Sequence, residues 1–460
     1  MPVDTVIEGG RLLTAAGQRS GALAIDDGKI VASGSVDALP AARETVDVSG
    51  CYVMPGVVDP HVHVDEAQSR VGTYASETSA AALGGVTTMV DFAWQGGDRD
   101  LGTDSTSLLD GIEHKRSIAS EAVVDVGLHG AVITETEDEL DELADAVSAG
   151  VTSFKLFMSA YRVGVSNGFI DRVMRRVADL GGVVLVHTED PTVCKSRTEA
   201  LEAAGRDDPV AYAEAQPAFA EAMAADDAAR MAVNAGVNYY GVHTTSAAAL
   251  DVLEHHQDDG TVRAETCPHY LTLDESAFTE RGVLAKTGPP LRRPADREAL
   301  FDGLRQGSIS TIGTDHCAYR RETKTAGKWW DSPFGVNGLQ RSLQIVHDAA
   351  VVQRDFPPSF LVRAMCSRPA ALFGLSRKGT LEPGTDADVV VFDPEATETV
   401  TAADNVSNAD YTVYEGREVT GRVVTTFVRG KRVAADGEVI GEPGHGEFVD
   451  RELPDWDAIP

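Results

Sequence analysis

Four histidines, a lysine and an aspartate stand at or near the ends of short apolar runs: His61 and His63, Lys155, His187, His243 and Asp315. In Asp59-Pro60-His61-Val62-His63 an extended chain sends alternate side chains to one face, so both imidazoles can grip one ion. Two strand histidines that only hydrogen-bond fit the same short motif. Lys155 lies in Phe154-Lys155-Leu156-Phe157-Met158, where a free ammonium is expensive to bury. A lysine whose proton affinity falls on burial can react with carbon dioxide to form an anionic carbamate, with one oxygen for each of two metals. The alternative is a lysine that reaches out of its strand to an Asp or Glu. Asp315 occurs in Gly313-Thr314-Asp315-His316-Cys317. Beside a hydroxide shared by two divalent metals, such a carboxylate can take a proton during attack on a polarised amide carbonyl and return it to the departing nitrogen. His316, pointing to the opposite face, is expected to be structural.

These residues need a scaffold that brings strand ends together. From about residue 58 to 375 apolar runs alternate with helical segments. Strands are expected near Val57 to Val64, Thr87 to Phe92, Val123 to Val132, Val151 to Met158, Val183 to Thr188, Asn238 to Thr244, Val262 to Cys267 and Ser310 to Asp315. Amphipathic stretches at Leu140 to Ala149, Ile170 to Leu180, Phe219 to Ala235 and Leu339 to Val352 lie between or after them. Eight such units predict an α/β fold, a (β/α)8 TIM barrel over 58–375, with its chemistry at the C-terminal mouth. The spacing agrees, because His63 to Lys155 covers 92 residues and Lys155 to His187 covers 32, three units and one unit of roughly thirty residues. His187 to His243 covers 56 and requires an extended loop and helix.

Both ends of the chain have a different texture. Short strands are expected at Thr5 to Glu8, Gly21 to Asp26, Lys29 to Ser33 and Thr45 to Val48, with a hairpin turn at Asp27-Gly28. The pattern returns at Asp388 to Asp393, Val419 to Arg429 and Arg432 to Ala435. Neither end alone can bury two sheet faces, so residues 1–57 and 376–460 are expected to form one small β-sandwich domain together.

The 460 residues hold 72 Asp and Glu against 40 Lys and Arg, a net charge of -32. Only nine of the cations are lysine, and acidic residues crowd Glu135 to Glu142, Asp226-Asp227 and Asp258-Asp259. Self-repulsion of that size is tolerated best where salt screens it, which suggests a halophilic, high-salt cytoplasm. It also argues against nucleic-acid or anionic-membrane partners. Five cysteines without Cys-x-x-Cys spacing suit a reducing compartment. The first residues carry no basic segment followed by an apolar run, and no stretch of about twenty apolar residues occurs, so a soluble cytoplasmic protein is expected.

With these residues assembled, the chain resembles the cyclic amidohydrolases, and within them the dihydropyrimidinase and hydantoinase branch. The resemblance is carried by Met54 to His63, Gly84 to Phe92, Lys155 to Met158, Val186-His187-Thr188-Glu189, Gly241-Val242-His243, Glu265 to Leu271, Pro289-Pro290-Leu291-Arg292, Thr314 to Cys317, Gly379 to Val391 and Tyr414 to Gly421. It implies that His61 and His63 bind one metal with Asp315, that His187 and His243 bind the other, and that carbamylated Lys155 bridges both. It further implies zinc, with manganese or cobalt also compatible with these ligands, ring opening of dihydropyrimidines or hydantoins, and a homotetramer. The family's oxyanion-supporting tyrosine follows its lysine by five residues, whereas Tyr161 follows Lys155 by six. Gly288 stands where relatives have serine, and Pro333-Phe334-Gly335, with Asn337 beyond it, stands where they have Pro-Asn-Gly. Tyr161, Gly288 and Asn337 are the substrate-binding residues expected from this resemblance. Allantoinase or dihydroorotase chemistry is the alternative, and Arg162 or Arg292 could pair with the carboxylate of dihydroorotate. A non-catalytic scaffold protein of the same fold is the remaining reading.

Overall fold

The computed structural model describes residues 1–65, 71–95, 107–136, 138–257 and 260–459. The Asp258-Asp259 pair and Glu137, parts of the acidic surface expected above, lie outside that range.

Eight parallel strands form the barrel: Val57–His63, Val86–Trp94, Asp125–Ala131, Ser153–Met158, Val183–Thr188, Asn238–Gly241, Val262–Thr266 and Ile309–Ile312. Their side chains are buried almost throughout, as expected of a parallel sheet covered on both faces. Closure is made by a short ninth segment, His316–Cys317, which pairs with Val62 and His63 of the first strand. The eighth strand is therefore divided. Its first part pairs with strand seven, its second with strand one, and Gly313-Thr314-Asp315 lies between. The expected strand from Ser310 to Asp315 stops early because Asp315 adopts φ 49°, outside the extended region. Strand six likewise ends at Gly241, short of the expected Thr244, and His243 has φ 37°.

The helices wrap the barrel with ordinary caps. Ser166 accepts from the Phe169 N–H at 3.3 Å to start Asn167–Leu180, and Gly181, at φ 74°, ends it. The expected Leu339 to Val352 helix is instead a 3-10 turn, a short α-helix over Ser342–Val346 and a π-helical stretch over His347–Val352. The widened turn presents His347 and Asp348 to the Thr420 main chain, at 2.8 and 3.2 Å.

Both termini contribute to a pair of sheets. One is four-stranded, ordered Lys29–Gly34, Ala22–Asp26, Val3–Glu8, Ala42–Asp47. The other has seven strands, in which Tyr52–Pro55 pairs with Val389–Thr399, and that strand with Glu418–Val428. Ile7, Leu23 and Ile25 from the first sheet pack with Val53, Val389, Val391 and Phe427 from the second. Beyond Gly441 the chain leaves the sheets and runs under the barrel. The Val126 N–H donates to Glu447, the Val449 N–H donates to Val126, and Trp456 packs with Val183, Leu185, Tyr240 and Phe373. Among the described residues no helix is long and apolar enough to cross a membrane.

A buried ion cluster ties the sheets to the barrel. The Lys378 ammonium contacts Asp125 at the base of strand three at 2.5 Å, Asp388 at 2.8 Å and Asp386 at 3.0 Å. Burial by itself would push the ammonium down, but the carboxylates of Asp388, Asp125 and Asp386 hold it above the ordinary lysine value. Its contribution to stability is therefore present below the unfolded-state lysine value and is lost as the pH rises through the higher folded-state value. Lys378→Met removes the buried cation shared by Asp388 and Asp386, while Arg429 still pairs with Asp125. The expected loss is about 3–5 kcal/mol, read as a lowered denaturation midpoint at neutral pH.

Candidate metal centre and active site

The barrel brings all six expected ligand residues to one mouth. His61, His63, Lys155, His187, His243 and Asp315 line a single cavity of about 390 Å³, together with Trp94, Phe157, Tyr161, Arg162, Gly288, Cys317 and Phe334. The Nε2 atoms of His61 and His63 lie 3.3 and 3.1 Å from the same Asp315 oxygen. Four ligands held at about 2.1 Å around a tetrahedral ion stand about 3.4 Å apart, so this cluster has the dimensions of a metal site. His61, His63 and Asp315 together offer ligand atoms all within 4.8 Å of one another. On the other side, His187 Nδ1 and His243 Nε2 face each other at 3.1 Å. The buried His61 Nε2 and His243 Nδ1 have no hydrogen-bond partner among the described residues. Lys155 is 1% exposed, and its Nζ lies 5.5 Å from the Phe92 ring centre and 5.2 Å from that of Phe157. The donor types, the spacing and the unpartnered imidazole nitrogen atoms all fit divalent metal.

Electrostatics favour the ligating forms. Burial pushes His243 well below the ordinary histidine value, with Lys155 and His187 adding to the effect. Burial also lowers His61, against the opposing carboxylates of Glu265 and Asp315. Both shifts favour the neutral imidazole, the form that metal binding requires. For Asp315 burial acts upward, but His61, His63 and His243 hold its carboxyl well below the usual carboxylate range. Asp315 and His243 are both non-glycine residues at positive φ, a conformation costing about 1–3 kcal/mol each that surrounding contacts must sustain.

Two buried carboxylates, Glu265 and Asp59, supply those contacts, a third, Glu189, supports His187, and the sequence reading assigned a role to none of the three. Glu265 accepts from His61 Nδ1 at 2.8 Å, from the His243 N–H at 3.0 Å and from the Tyr240 hydroxyl at 2.9 Å. Asp59 accepts from the main-chain N–H groups of His61 and Thr314, at 3.2 and 3.1 Å, joining strand one to the break before Asp315. Burial pushes Asp59 up to about 7, opposed by its hydrogen bonds from Thr314 and His61. Glu189 lies 2.9 Å from His187 Nε2 and accepts from the Tyr161 hydroxyl at 3.1 Å. Two of the three had a signal. Asp59 shares the alternate-residue face of His61 and His63, and Glu189 that of His187.

The expected substrate residues are divided. Tyr161 lines the cavity, and burial, reinforced by Glu189, pushes its phenol well above the ordinary value, so it remains a donor at neutral pH. Gly288 also lines it, and a Cβ there would lie 3.4 Å from Phe334 and 3.5 Å from the Tyr161 hydroxyl. Asn337 is buried in an adjoining crevice with His316 and Gly338 and is not part of the cavity wall. His316 is structural as expected. Its Nε2 lies 2.9 Å from Glu77, and its Nδ1 accepts from the Gly338 N–H at 3.0 Å. Arg292 is turned away from the cavity into the barrel wall, where it donates to Thr245 and Glu221, each at 2.9 Å, and to the Gln216 carbonyl. Arg162, by contrast, lines the cavity.

The barrel, the ligand cluster and the sequence agree on a class: the chain belongs to the amidohydrolase family, a metal-dependent family whose model matches residues 52–433. Among its relatives is the D-hydantoinase of Streptomyces coelicolor, 35% identical across 97% of this chain and 98% of that protein. The L-hydantoinase of Paenarthrobacter aurescens is 32% identical with the same coverage. The crystal structure of dihydropyrimidinase from Brevibacillus agri superposes with a TM-score of 0.93 at 30% identity, covering 98% of this chain and 99% of that one.

Glu265 offers a direct test of the metal site. Glu265→Gln keeps the shape but weakens the acceptor for His61, so metal affinity is expected to fall about 10–100-fold. Competition with a chromophoric chelator measures it, and an unchanged affinity would remove Glu265 from the support of the site.

Proposed function

We propose that this chain opens cyclic amides by metal-dependent hydrolysis, acting on dihydropyrimidines or hydantoins. The observation that carries this reading is the convergence of four imidazoles, Lys155 and Asp315 on one cavity, in a chain similar over nearly its whole length to D- and L-hydantoinases. His61, His63 and Asp315 would hold one ion and His187 and His243 a second, with carbamylated Lys155 between them. Zinc suits this set, and manganese or cobalt also fits. Bound metal supplies Lewis-acid polarisation of the ring carbonyl and acidifies a water molecule toward neutral pH.

The chain's own residues supply the rest. Asp315, held anionic by three imidazoles, accepts the proton of the attacking water and returns it to the ring nitrogen as the C–N bond breaks. Tyr161 keeps its proton and donates a hydrogen bond to the oxygen that gains charge during attack. Phe157, Trp94 and Phe334 exclude water from the cavity and offer apolar surface to a ring substituent. Gly288 leaves the space between Phe334 and Tyr161 open. A homotetramer in a salt-rich cytoplasm completes the proposal, the latter supported by the net charge of -32.

Purified protein offered dihydrouracil, 5-substituted hydantoins, allantoin and dihydroorotate tests the substrate class. Ring opening of the first two is expected, and preference for allantoin or dihydroorotate would overturn the reading. With Arg292 paired to Glu221, the carboxylate of dihydroorotate would depend on Arg162. Asp315→Asn is expected to lower kcat about 10²–10⁴-fold. Lys155→Ala should reduce the metal content below two ions per chain by elemental analysis. Raising the salt from about 0.1 M to about 1 M, which shortens the Debye length from about 10 Å to about 3 Å, should raise the melting temperature, and an unchanged value would remove the halophilic assignment.

A further inference from the structure

We propose that Lys286 is a positioning residue that sets substrate selectivity: its buried ammonium fixes Phe334 as the wall against which a planar apolar substituent of the ring lies. This rests on the cyclic-amide reading above and names the feature that selects among such substrates.

Lys286 does not line the cavity; Phe334 does. The Lys286 Nζ sits 4.1 Å from the Phe334 ring centre and 5.1 Å from that of Tyr212. It also donates to the carbonyls of Trp329, at 2.6 Å, and Ser332. Phe334 is thus held between an ammonium on one side and Tyr161, with ring centres 4.5 Å apart, on another. A second buried lysine locks the same loop. The Lys324 Nζ donates to the carbonyls of Lys286, Pro333 and Gly335 at 2.8, 2.8 and 2.9 Å, and the Gly335 N–H donates to the Lys286 carbonyl at 3.1 Å. The segment leading to Gly288 and the segment carrying Phe334 are therefore one unit.

Burying an ammonium whose acceptors are carbonyls rather than carboxylates is costly, and an apolar side chain of equal length would fill the space more cheaply. What the charge adds is direction: a desolvated cation over an aromatic face fixes the ring's tilt, which an apolar neighbour does not. Burial pushes the Lys286 ammonium down to about 7, while the more distant carboxylates of Asp331 and Glu189 oppose this. The other charged or titratable groups facing it are Lys324 and Tyr212. The clamp therefore holds at lower pH and releases as pH rises through about 7.

The test uses the full-length, metal-loaded protein with 4-fluorophenylalanine in place of Phe334, observed by fluorine NMR. One narrow resonance is expected below neutral pH, shifting or broadening as the pH passes through about 7. Lys286→Met should give the broadened signal at every pH, and Lys286→Arg should restore the narrow one. In unlabelled protein, Lys286→Met and Phe334→Leu should each lower the ratio of kcat/KM for 5-phenylhydantoin over dihydrouracil by roughly tenfold. The loss should appear in KM, with metal content retained, and the double variant should be no less selective than Phe334→Leu. A resonance indifferent to Lys286→Met, or an equal loss on both substrates, overturns the proposal. If Lys286→Met does not fold, the wild-type pH series decides, and a pH-independent resonance counts against it. If the wild type opens neither ring, the cyclic-amide reading fails by itself, and the fluorine spectra still decide whether Lys286 orders the wall.

Discussion

The barrel closes across an interruption. Ile309–Ile312 completes one side of the sheet, His316–Cys317 completes the other, and the three residues between them cannot belong to either ladder. That break turns the Asp315 carboxylate toward His61 and His63 instead of leaving it along the strand. The strained backbone at Asp315 is sustained because Asp59 holds the Thr314 N–H from strand one. Closure and metal chemistry thus share the same few atoms, and a barrel that failed to close would also fail to assemble its site.

Around this seam the charges are arranged in complementary layers. Imidazoles crowd the mouth, and burial lowers the proton affinity of His61 and His243, which suits them to act as ligands. Behind them Glu265 fixes the ring of His61 and the main chain of His243 at once, so the two halves of the site share one acceptor. A neutral imidazole oriented by a buried carboxylate is a better ligand than a free one, and its tautomer is set by that contact. Glu189 extends the pattern outward, linking the His187 ring to the Tyr161 hydroxyl.

The cavity wall around Phe334 and Tyr161 obeys different constraints. It is built from loops whose ordering comes from lysines donating to main-chain carbonyls and from aromatic contacts rather than from strand pairing. Such walls can change shape while the ligand set stays fixed.

The sequence by itself determined the barrel, the sheet domain built from both ends and the six residues that meet at the barrel mouth, because each leaves a local trace. A buried parallel strand reads as an apolar run, a His-x-His pair reads through the two-residue period, and a lysine inside an apolar strand stands out against the cost of burying it. Asp59 and Glu189 left the same periodic trace and could have been read from it. Glu265 left none, since its partners lie 22 to 204 residues away and meet it only when the closed barrel brings the ends of strands one, six and seven to one mouth. The early ends of strands six and eight were equally invisible, because the positive φ of His243 and Asp315 is imposed by tertiary hydrogen bonds against local preference. Only the folded chain could decide that Arg292 is spent on Glu221, that Asn337 sits beside the cavity rather than in it, and that Lys286 reaches Phe334. The physical reason is the same in each case. Residue type and local period fix what a side chain can do, while its partner is chosen by distances that exist only after the barrel has closed.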